Sequence, residues 1–172
     1  CPERLDAIND YLLSHGFLDL MPSYQAPAVT HEQLLRAHTA HYVAEIENMA
    51  PPAGEVVHVD PDTMMNSHTL TAARHAAGAG VLATDLVLSG EVGSAFCAVR
   101  PPGHHAERDA AMGFCFFNNI AIGIRHAQRA HGINRIALID FDVHHGNGSE
   151  DILAGDDEVL MVSTFQHPLY PY

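Results

Sequence analysis

The chain has 172 residues, 47% of them hydrophobic, which is enough for one buried core and too few to predict two domains. Its formal net charge is −13, from 21 acidic and 8 basic residues. Because nucleic-acid binding depends on lysine and arginine that displace counterions from phosphates, this charge argues against direct nucleic-acid binding and weakly favours a cationic substrate.

The cysteines and the apolar runs bear on cellular location. Cys1, Cys97 and Cys115 are an odd, unevenly spaced set, which predicts no disulfide framework and a reducing, cytoplasmic environment. No apolar run reaches the ~18 residues that span a bilayer, so we expect no membrane anchor. The chain starts Cys-Pro-Glu-Arg without Met and without a charged and then apolar leader. We therefore expect no signal peptide, and we expect upstream residues to be missing.

The opening third of the chain is predicted to be helical. Leu5, Ile8 and Leu12 recur at helical spacing, and residues 30–33 (Thr-His-Glu-Gln) form a capping box that opens a short helix. Thr39 should cap a further helix that ends before Pro51, because proline lacks the amide hydrogen and clashes with the preceding turn. Residues 56–59 are a candidate strand.

The rest of the chain is predicted to alternate strands and helices. Alanine-rich residues 71–88 have the composition of a buried helix. Beyond them we expect strands over 94–99, 135–140 and 158–163 and helices over 117–131 and 148–153. This βαβαβ order predicts an α/β fold, a three-layer αβα arrangement with a mainly parallel sheet.

Two histidine-rich runs follow predicted strands. Residues 100–105 are Arg-Pro-Pro-Gly-His-His, and residues 140–148 are Asp-Phe-Asp-Val-His-His-Gly-Asn-Gly. Since ligands of such sheets bind beyond the carboxyl ends of the strands, the two runs should meet in one cleft. Together they supply two carboxylates and four imidazoles, the groups that a catalytic divalent-metal site needs.

Asp142 and His144 are the candidate metal ligands. Side chains alternate along an extended segment, so Asp140, Asp142 and His144 should share one direction. A carboxylate and an imidazole two residues apart suit zinc, manganese or iron, although a catalytic zinc needs a third protein ligand from elsewhere. Solvated turn aspartates and surface histidines are the alternative, and the other histidines of the chain are expected to be surface or hydrogen-bonded core residues.

His104 and His105 are the candidate bases. They follow Pro101, Pro102 and Gly103, which fix an irregular loop. Imidazole titrates near neutrality, so one of them could deprotonate a water at the metal, with a neighbouring carboxylate or amide setting its tautomer. Histidines that only cap a turn are the alternative.

These residues resemble motifs of the histone deacetylase family of zinc-dependent deacylases, which also contains bacterial acetylpolyamine amidohydrolases. The resemblance rests on residues 100–105, 112–119 (Met-Gly-Phe-Cys-Phe-Phe-Asn-Asn) and 139–148, in that order. Residues 2–5 resemble the start of the family domain and residues 162–163 a later strand end. The resemblance implies an arginase-like deacetylase fold, with residues 1–172 as the N-terminal part of a single domain.

The resemblance also implies a role for each site residue. Asp142 and His144 would bind zinc, His104 and His105 would flank the water and the substrate carbonyl, and Asp140 would support His104. Asn147 would face His105 where class I enzymes have aspartate, which favours the class II and bacterial branch. His145 continues the motif, Gly113 and Phe114 would receive the acylated amine, and Tyr170 would be a second aromatic wall that departs from the family by its hydroxyl.

Family members also bind monovalent cations, which implies potassium sites here. Asp140, Asp142, His144, Ser163 and Thr164 would match one such site, and backbone carbonyls of Leu153, Asp156 and Val159 another. The family's third zinc ligand, an aspartate, and its carbonyl-polarising tyrosine or histidine would lie beyond Tyr172. We therefore expect the domain to be incomplete at its C-terminus.

The predicted function is hydrolysis of acyl amides by one Zn²⁺ ion per domain, with acetyl-lysine or acetylpolyamines as substrates and the oligomeric state open. Two alternatives remain: a catalytically silent deacetylase-like binding module, and a dimanganese ureohydrolase, which would need further paired aspartates. Residues 78–83 formally fit a dinucleotide fingerprint, but they follow a helical pattern rather than a strand, which argues against nucleotide binding.

Overall fold

The computed structural model describes residues 3–172 of the chain. Cys1 and Pro2, which belong to the cysteine count and to the motif at the start of the family domain, lie outside the described residues. The elements are α1 (Glu3–Ser14), α2 (His31–Leu34), α3 (Ala40–Asn48), β1 (Val56–His58), β2 (Met64–Asn66), α4 (Thr69–Leu88), α5 (Asn119–His131), β3 (Ile136–Asp140), α6 (Asn147–Leu153) and β4 (Val159–Ser163). Within residues 3–172, no helix has both the length and the apolar character that crossing a bilayer requires.

The helix signals at the start of the chain are confirmed. The Thr30 hydroxyl accepts from the Gln33 amide at 3.2 Å, and the Gln33 side chain accepts from the Thr30 amide at 2.9 Å, which closes the capping box of α2. Thr39 caps α3 with a single hydrogen bond, in which its hydroxyl accepts from the amide of Tyr42 at 3.2 Å. α1 forms as expected but buries none of its side chains, so it adds little to the core.

The predicted strand at 56–59 forms as β1 and pairs with a strand that the sequence did not reveal. β1 and β2 are antiparallel, with Val57 opposite Met65. The Asp60 carboxylate closes the turn between them, since it accepts from the amides of Asp62 at 2.8 Å and Thr63 at 2.7 Å. At three residues, β2 is too short to show a strand period in the sequence.

β3 and β4 form the parallel pair that positions the second histidine-rich run. Their register places Asp140 opposite Ser163, and α6 connects them. Leu138 is buried against the helices, whereas Ile139 and Leu160 are 66% and 64% exposed on the other face. Within residues 3–172, the helices therefore cover one face of this pair.

The predicted strand over 94–99 is wrong. These residues form no ladder with any described strand, and Phe96 is 68% exposed. A strand requires a neighbour to pair its amides and carbonyls, and alternation in the sequence reports only which residues could be extended. Among the described residues, the βαβαβ order is therefore reduced to the unit β3–α6–β4.

The core lies between the helices and the strands, and α4 packs closely on α5. Phe117, Ile122, Val43 and Ile46 are almost completely buried there. A Cβ at Gly80 would lie 2.8 Å from the carbonyl oxygen of Asn119, so this position must be glycine for the helices to approach. Residues 78–83 lie inside α4, where their small side chains serve helix packing rather than a phosphate-binding loop.

Candidate active site

The structure brings the two histidine-rich runs close together. The space that His104, His105, Asp142 and His144 share is here called the cleft. His104 Nδ1 lies 3.0 Å from Asp140 Oδ2, and His105 Nδ1 lies 2.8 Å from Asn147 Oδ1. The ring centroids of His104 and His105 are 4.0 Å apart, and the His144 ring lies 6.0 Å from that of His105. Residues from the 100–105 loop and the end of β3 thus face the same space.

Glycines allow these contacts to be so close. A Cβ at Gly146 would lie 3.2 Å from His104 Nδ1 and would overlap the Asp140 carboxylate. Gly113 has a φ of +57°, and a Cβ there would overlap the His105 ring. Both glycines belong to the runs that the sequence singled out, and the close approach of neighbouring side chains is the reason for glycine at these positions.

The supports of the two histidines fix their tautomers. Asp140 offers only oxygen acceptors, so His104 donates its Nδ1–H and keeps Nε2 free. His105 donates Nδ1–H to the Asn147 oxygen in the same way. His105 is 4% exposed, and burial, together with the neighbouring charges of His104 and His144, holds its pKa below the usual value, although the hydrogen bond to Asn147 raises it. His105 is therefore neutral near pH 7 and can accept a proton at Nε2.

Asp142 and His144 place the atoms that could bind a metal close to each other. Asp142 Oδ1 and His144 Nδ1 are 3.3 Å apart, and the His144 amide donates to the same carboxylate at 2.8 Å. Ligand atoms of a tetrahedral zinc ion lie about 3.3 Å apart, given bonds of about 2.0 to 2.1 Å, so the pair fits such an ion. Burial raises the pKa of Asp142, but the His144 amide and the nearby imidazoles outweigh it and lower the pKa, which keeps a charged ligand.

A second group of ligand-type side chains lies outside the cleft. Asp85, His126 and His131, here called the α4–α5 cluster, have ligand atoms within 4.8 Å of one another, and Asp85 Oδ1 lies 2.7 Å from Nε2 of each histidine. Arg36 donates to His126 Nδ1 at 2.9 Å, so the proton of His126 must sit on Nε2 and point at Asp85. The cluster is a hydrogen-bonded clasp, and His126 has no free lone pair for a metal. Among the described residues, no third such side chain joins Asp142 and His144.

The residues predicted to contact substrate surround the histidines. Phe114 has a φ of +66°, is 60% exposed and donates its amide to the Thr63 hydroxyl at 3.0 Å. Tyr170 meets His105 edge-on, with 5.0 Å between the ring centroids. Its hydroxyl is buried with no hydrogen-bond partner among residues 3–172, and burial first, then the charges of the Asp60–Asp62 turn, raise its pKa to about 12. Tyr170 therefore stays protonated and can donate to a ligand.

Ser163 marks one of the predicted monovalent-cation sites. Its Oγ is buried and finds no hydrogen-bond partner within the described residues, next to Asp140 in the β3–β4 register. The Thr164 amide donates to the Asp140 carbonyl at 3.0 Å, which leaves one lone pair of that oxygen free. Because an unpaired buried hydroxyl is costly, this set of oxygen donors fits a bound hard cation.

The second predicted monovalent site lies where α6 ends. The carbonyls of Leu153 and Asp156 accept from the amides of Asp156 and Val159, each at 3.1 Å, and Arg125 pairs with the Asp156 carboxylate. Leu153, Asp156 and Val159 line an open pocket of about 490 Å³. His145 also lines it, and its Nδ1 is buried without a partner in the described part of the chain. His145 Nε2 lies 2.7 Å from Glu150 Oε2, and the His145 ring lies 4.5 Å from that of Phe165.

Sequence reasoning missed the side chains behind the cleft. Glu107 accepts from Asn147 Nδ2 at 2.7 Å, and Met112 Sδ lies 3.2 Å from the same nitrogen. His38 is a hydrogen-bonded core histidine, as expected of the histidines outside the motifs, and it bridges the Glu107 carbonyl and the Asn118 amide. The signal for Glu107 was its position two residues after His105, within reach of the same loop.

Comparisons with known proteins show which family the chain belongs to. A family model described as the histone deacetylase domain matches residues 1–172. The histone deacetylase-like amidohydrolase of Pseudomonas aeruginosa is 39% identical over 170 residues, which cover 99% of this chain and 44% of that protein. The polyamine deacetylase HDAC10 of Rattus norvegicus is 39% identical over 167 residues, which cover 95% of this chain and 28% of that protein. The chain thus belongs to the histone deacetylase family.

A solved structure confirms the predicted fold class. The HD domain of HDA15 superimposes with a TM-score of 0.93 at 35% identity, covering 99% of this chain and 50% of that one. The α/β architecture predicted from the strand and helix order is therefore that of the deacetylase domain. The chain spans less than half the length of the two curated relatives described above.

Proposed function

We propose that this chain carries most of the active site of a zinc-dependent deacylase, which removes acetyl or other acyl groups from amines. One observation carries the proposal: the histidine pair and the Asp142–His144 pair face a single cleft, and each histidine of the pair keeps a free Nε2. Family membership supports amide hydrolysis as the reaction class, since the relatives are named deacetylases and an amidohydrolase.

Asp142 and His144 would hold the metal ion, together with a third ligand from outside this pair. A bound divalent ion supplies Lewis-acid activation of water and of the acyl carbonyl. His105 Nε2 takes the proton as the water oxygen bonds to the acyl carbon. The carbon–nitrogen bond then breaks, and the proton passes to the leaving amine. His104, held by Asp140, keeps a second Nε2 in place to orient the water and share the proton.

The surroundings of the cleft support an amine that is held by flat apolar side chains. Phe114 is exposed and Tyr170 lies against His105, as walls for an alkyl chain would. The charge of −13 favours a cationic molecule, so an acylated polyamine or an acylated lysine is the proposed substrate. A relative is named a polyamine deacetylase, which supports the same substrate class.

The remaining features of the proposal concern the whole protein. We place the reaction in the cytoplasm, in a single domain that includes residues 1–172, with potassium at the Ser163 and Leu153–Val159 sites. The observation in favour of potassium is the unpaired Ser163 hydroxyl among the described residues. No further aspartates join the Asp142–His144 pair within residues 3–172, so no observation favours the dimanganese alternative.

The test replaces His144 with alanine in the intact polypeptide. We expect turnover of acetyl-lysine and acetylspermidine reporters to fall at least a hundredfold, with loss of bound zinc, because a metal ligand is removed. His167→Ala is the matched control, since His167 is exposed and makes no hydrogen bond within residues 3–172. Metal-dependent turnover that survives His144→Ala would refute the proposal. Tight binding of acylated ligands by a wild-type protein without turnover would identify a silent binding module.

A further inference from the structure

We propose that Glu107 is a positioning residue for His105, and that it acts by orienting the side-chain amide of Asn147. The inference rests on the proposed function, in which His105 is the base. The sequence indicated only that an uncharged amide would replace the carboxylate behind this histidine. The structure adds a carboxylate one hydrogen bond further back.

The contact with Glu107 determines which end of the Asn147 amide faces His105. An amide can present either its oxygen or its NH₂ group to an imidazole, and the two orientations have nearly the same shape. A carboxylate can only accept hydrogen bonds. The contact of 2.7 Å between Asn147 and Glu107 Oε1 therefore forces the NH₂ group towards Glu107.

A second acceptor strengthens this orientation. Met112 Sδ lies 3.2 Å from Asn147 Nδ2, and a thioether also only accepts. Both hydrogens of the amide nitrogen thus point away from His105. The amide oxygen is left to face the imidazole at 2.8 Å.

The orientation of the Asn147 amide determines the tautomer of His105. Facing an oxygen acceptor, His105 must carry its proton on Nδ1, so the Nε2 lone pair is free in the cleft. If the amide were reversed, its NH₂ group would face Nδ1, the proton would move to Nε2, and His105 could not accept a proton there. Glu107 therefore selects the tautomer that can act as a base.

Hydrogen bonds hold the main chain of Glu107 in place. Its carbonyl accepts from His38 Nδ1 at 2.9 Å, and its amide donates to the Ala110 carbonyl at 2.9 Å. His38 is 3% exposed and accepts from the Asn118 amide through its other nitrogen. A main chain held on a buried, fully hydrogen-bonded imidazole can keep the carboxylate in one place, as an orienting residue must.

The experiment compares Glu107→Ala and Glu107→Gln in the intact, zinc-loaded polypeptide. The alanine variant removes the acceptor, so we expect kcat for an acetyl-lysine reporter to fall about tenfold with little change in KM. Glutamine loses the charge but keeps an acceptor oxygen, so it should recover most of that loss. The ¹⁵N shifts of the His105 ring should show protonated Nδ1 in the wild type, a tautomer mixture in Glu107→Ala and a return towards protonated Nδ1 in Glu107→Gln.

Two controls separate positioning from charge and from folding. Asp109→Ala removes the same charge from an exposed neighbour whose carboxylate accepts no hydrogen bond within residues 3–172, so it should leave the His105 tautomer unchanged. In an Asn147→Asp background there is no amide to orient, so Glu107→Ala should cause no further fall in kcat. Thermal unfolding of each variant identifies any general loss of structure.

The proposal is overturned if the His105 ring keeps protonated Nδ1 in Glu107→Ala and kcat equals that of Asp109→Ala. It is also overturned if Glu107→Gln is as impaired as Glu107→Ala, because charge rather than orientation would then be responsible. Failure of the proposed function would look different. The wild type would not turn over acetylated amines, while the ring shifts would still report whether Glu107 sets the tautomer.

Discussion

Two places in this molecule gather the same kinds of side chain, and they differ in which atoms remain free. In the cleft, Asp142 Oδ1 and His144 Nδ1 lie 3.3 Å apart, and both side chains are partly exposed. In the α4–α5 cluster the donor atoms are as close, but Arg36 donates to His126 and so fixes a hydrogen on the nitrogen that faces Asp85. Histidine and aspartate side chains that lie close together are therefore not enough to identify a metal site. A hydrogen bond to the second ring nitrogen of the histidine determines whether the first nitrogen has a lone pair free to bind the metal.

The strongest test of this comparison measures where zinc binds. Asp142→Ala in the intact polypeptide should lower zinc affinity by about a hundredfold to a thousandfold, since binding free energies of about 10 to 16 kcal/mol are shared among about four ligands. Asp85→Ala should leave the zinc content unchanged. Elemental analysis after dialysis against a chelator measures both, and the comparison fails if the Asp85 variant is the one that loses zinc.

A third histidine arrangement can be tested by pH. His38 uses both ring nitrogens in hydrogen bonds, and burial lowers its pKa to about 4. Because the folded pKa lies below the unfolded value of about 6.5, the unfolded chain takes up the proton first. The contribution of His38 to the free energy of unfolding is therefore fully present above about pH 6.5. It falls by about 3 kcal/mol as the pH is lowered towards 4.

Urea unfolding of the wild type and of His38→Gln between pH 4 and 7.5 measures that loss. The variant should be less stable at pH 7, because glutamine fits the two hydrogen bonds poorly, but its stability should depend less on pH. Parallel pH curves for the two proteins would contradict the assignment to His38.

The smallest predicted effect tests whether Arg36 prevents the α4–α5 cluster from binding a metal. In Arg36→Met, His126 is free to carry its proton on Nδ1, so the α4–α5 cluster should gain a weak divalent-metal site. Zinc at about ten times its Kd would then raise the free energy of unfolding by about 1.4 kcal/mol. Arg129→Met is the control, because Arg129 is an exposed arginine of α5, the helix that contains His126. Equal zinc titrations of the two variants by calorimetry would show that Arg36 does not block the cluster.

The sequence predicted the parts of the fold that depend on local chemistry. The capping box at Thr30, the glycine that ends α5 and the strand before the second histidine-rich run follow from residues close in the chain. The contact of His105 with Asn147, 42 positions away, agrees with the expectation that the two runs meet, although the strand expected before the first run does not form among the described residues.

What escaped the sequence depends on neighbours that are distant in the chain. Residues 94–99 have a strand-like pattern, but pattern does not supply a partner strand, and none pairs with them among the described residues. Glu107 and Arg36 gain their roles from single hydrogen bonds to Asn147 and His126, 40 and 90 positions away. A charged residue in a loop carries no mark in the sequence of the atom that it will face.

Phe114 has a consequence for how the cleft could change over evolution. Its left-handed backbone conformation costs of order 1 to 2 kcal/mol for a residue with a Cβ, and the hydrogen bond from its amide to Thr63 offsets part of that cost. Thr63 is buried at the end of the β1–β2 turn, directly before β2, so a one-residue insertion in that turn would shift the anchor of the Phe114 backbone. Variation in a short surface hairpin would then alter the width of the entrance while every histidine and aspartate stayed in place.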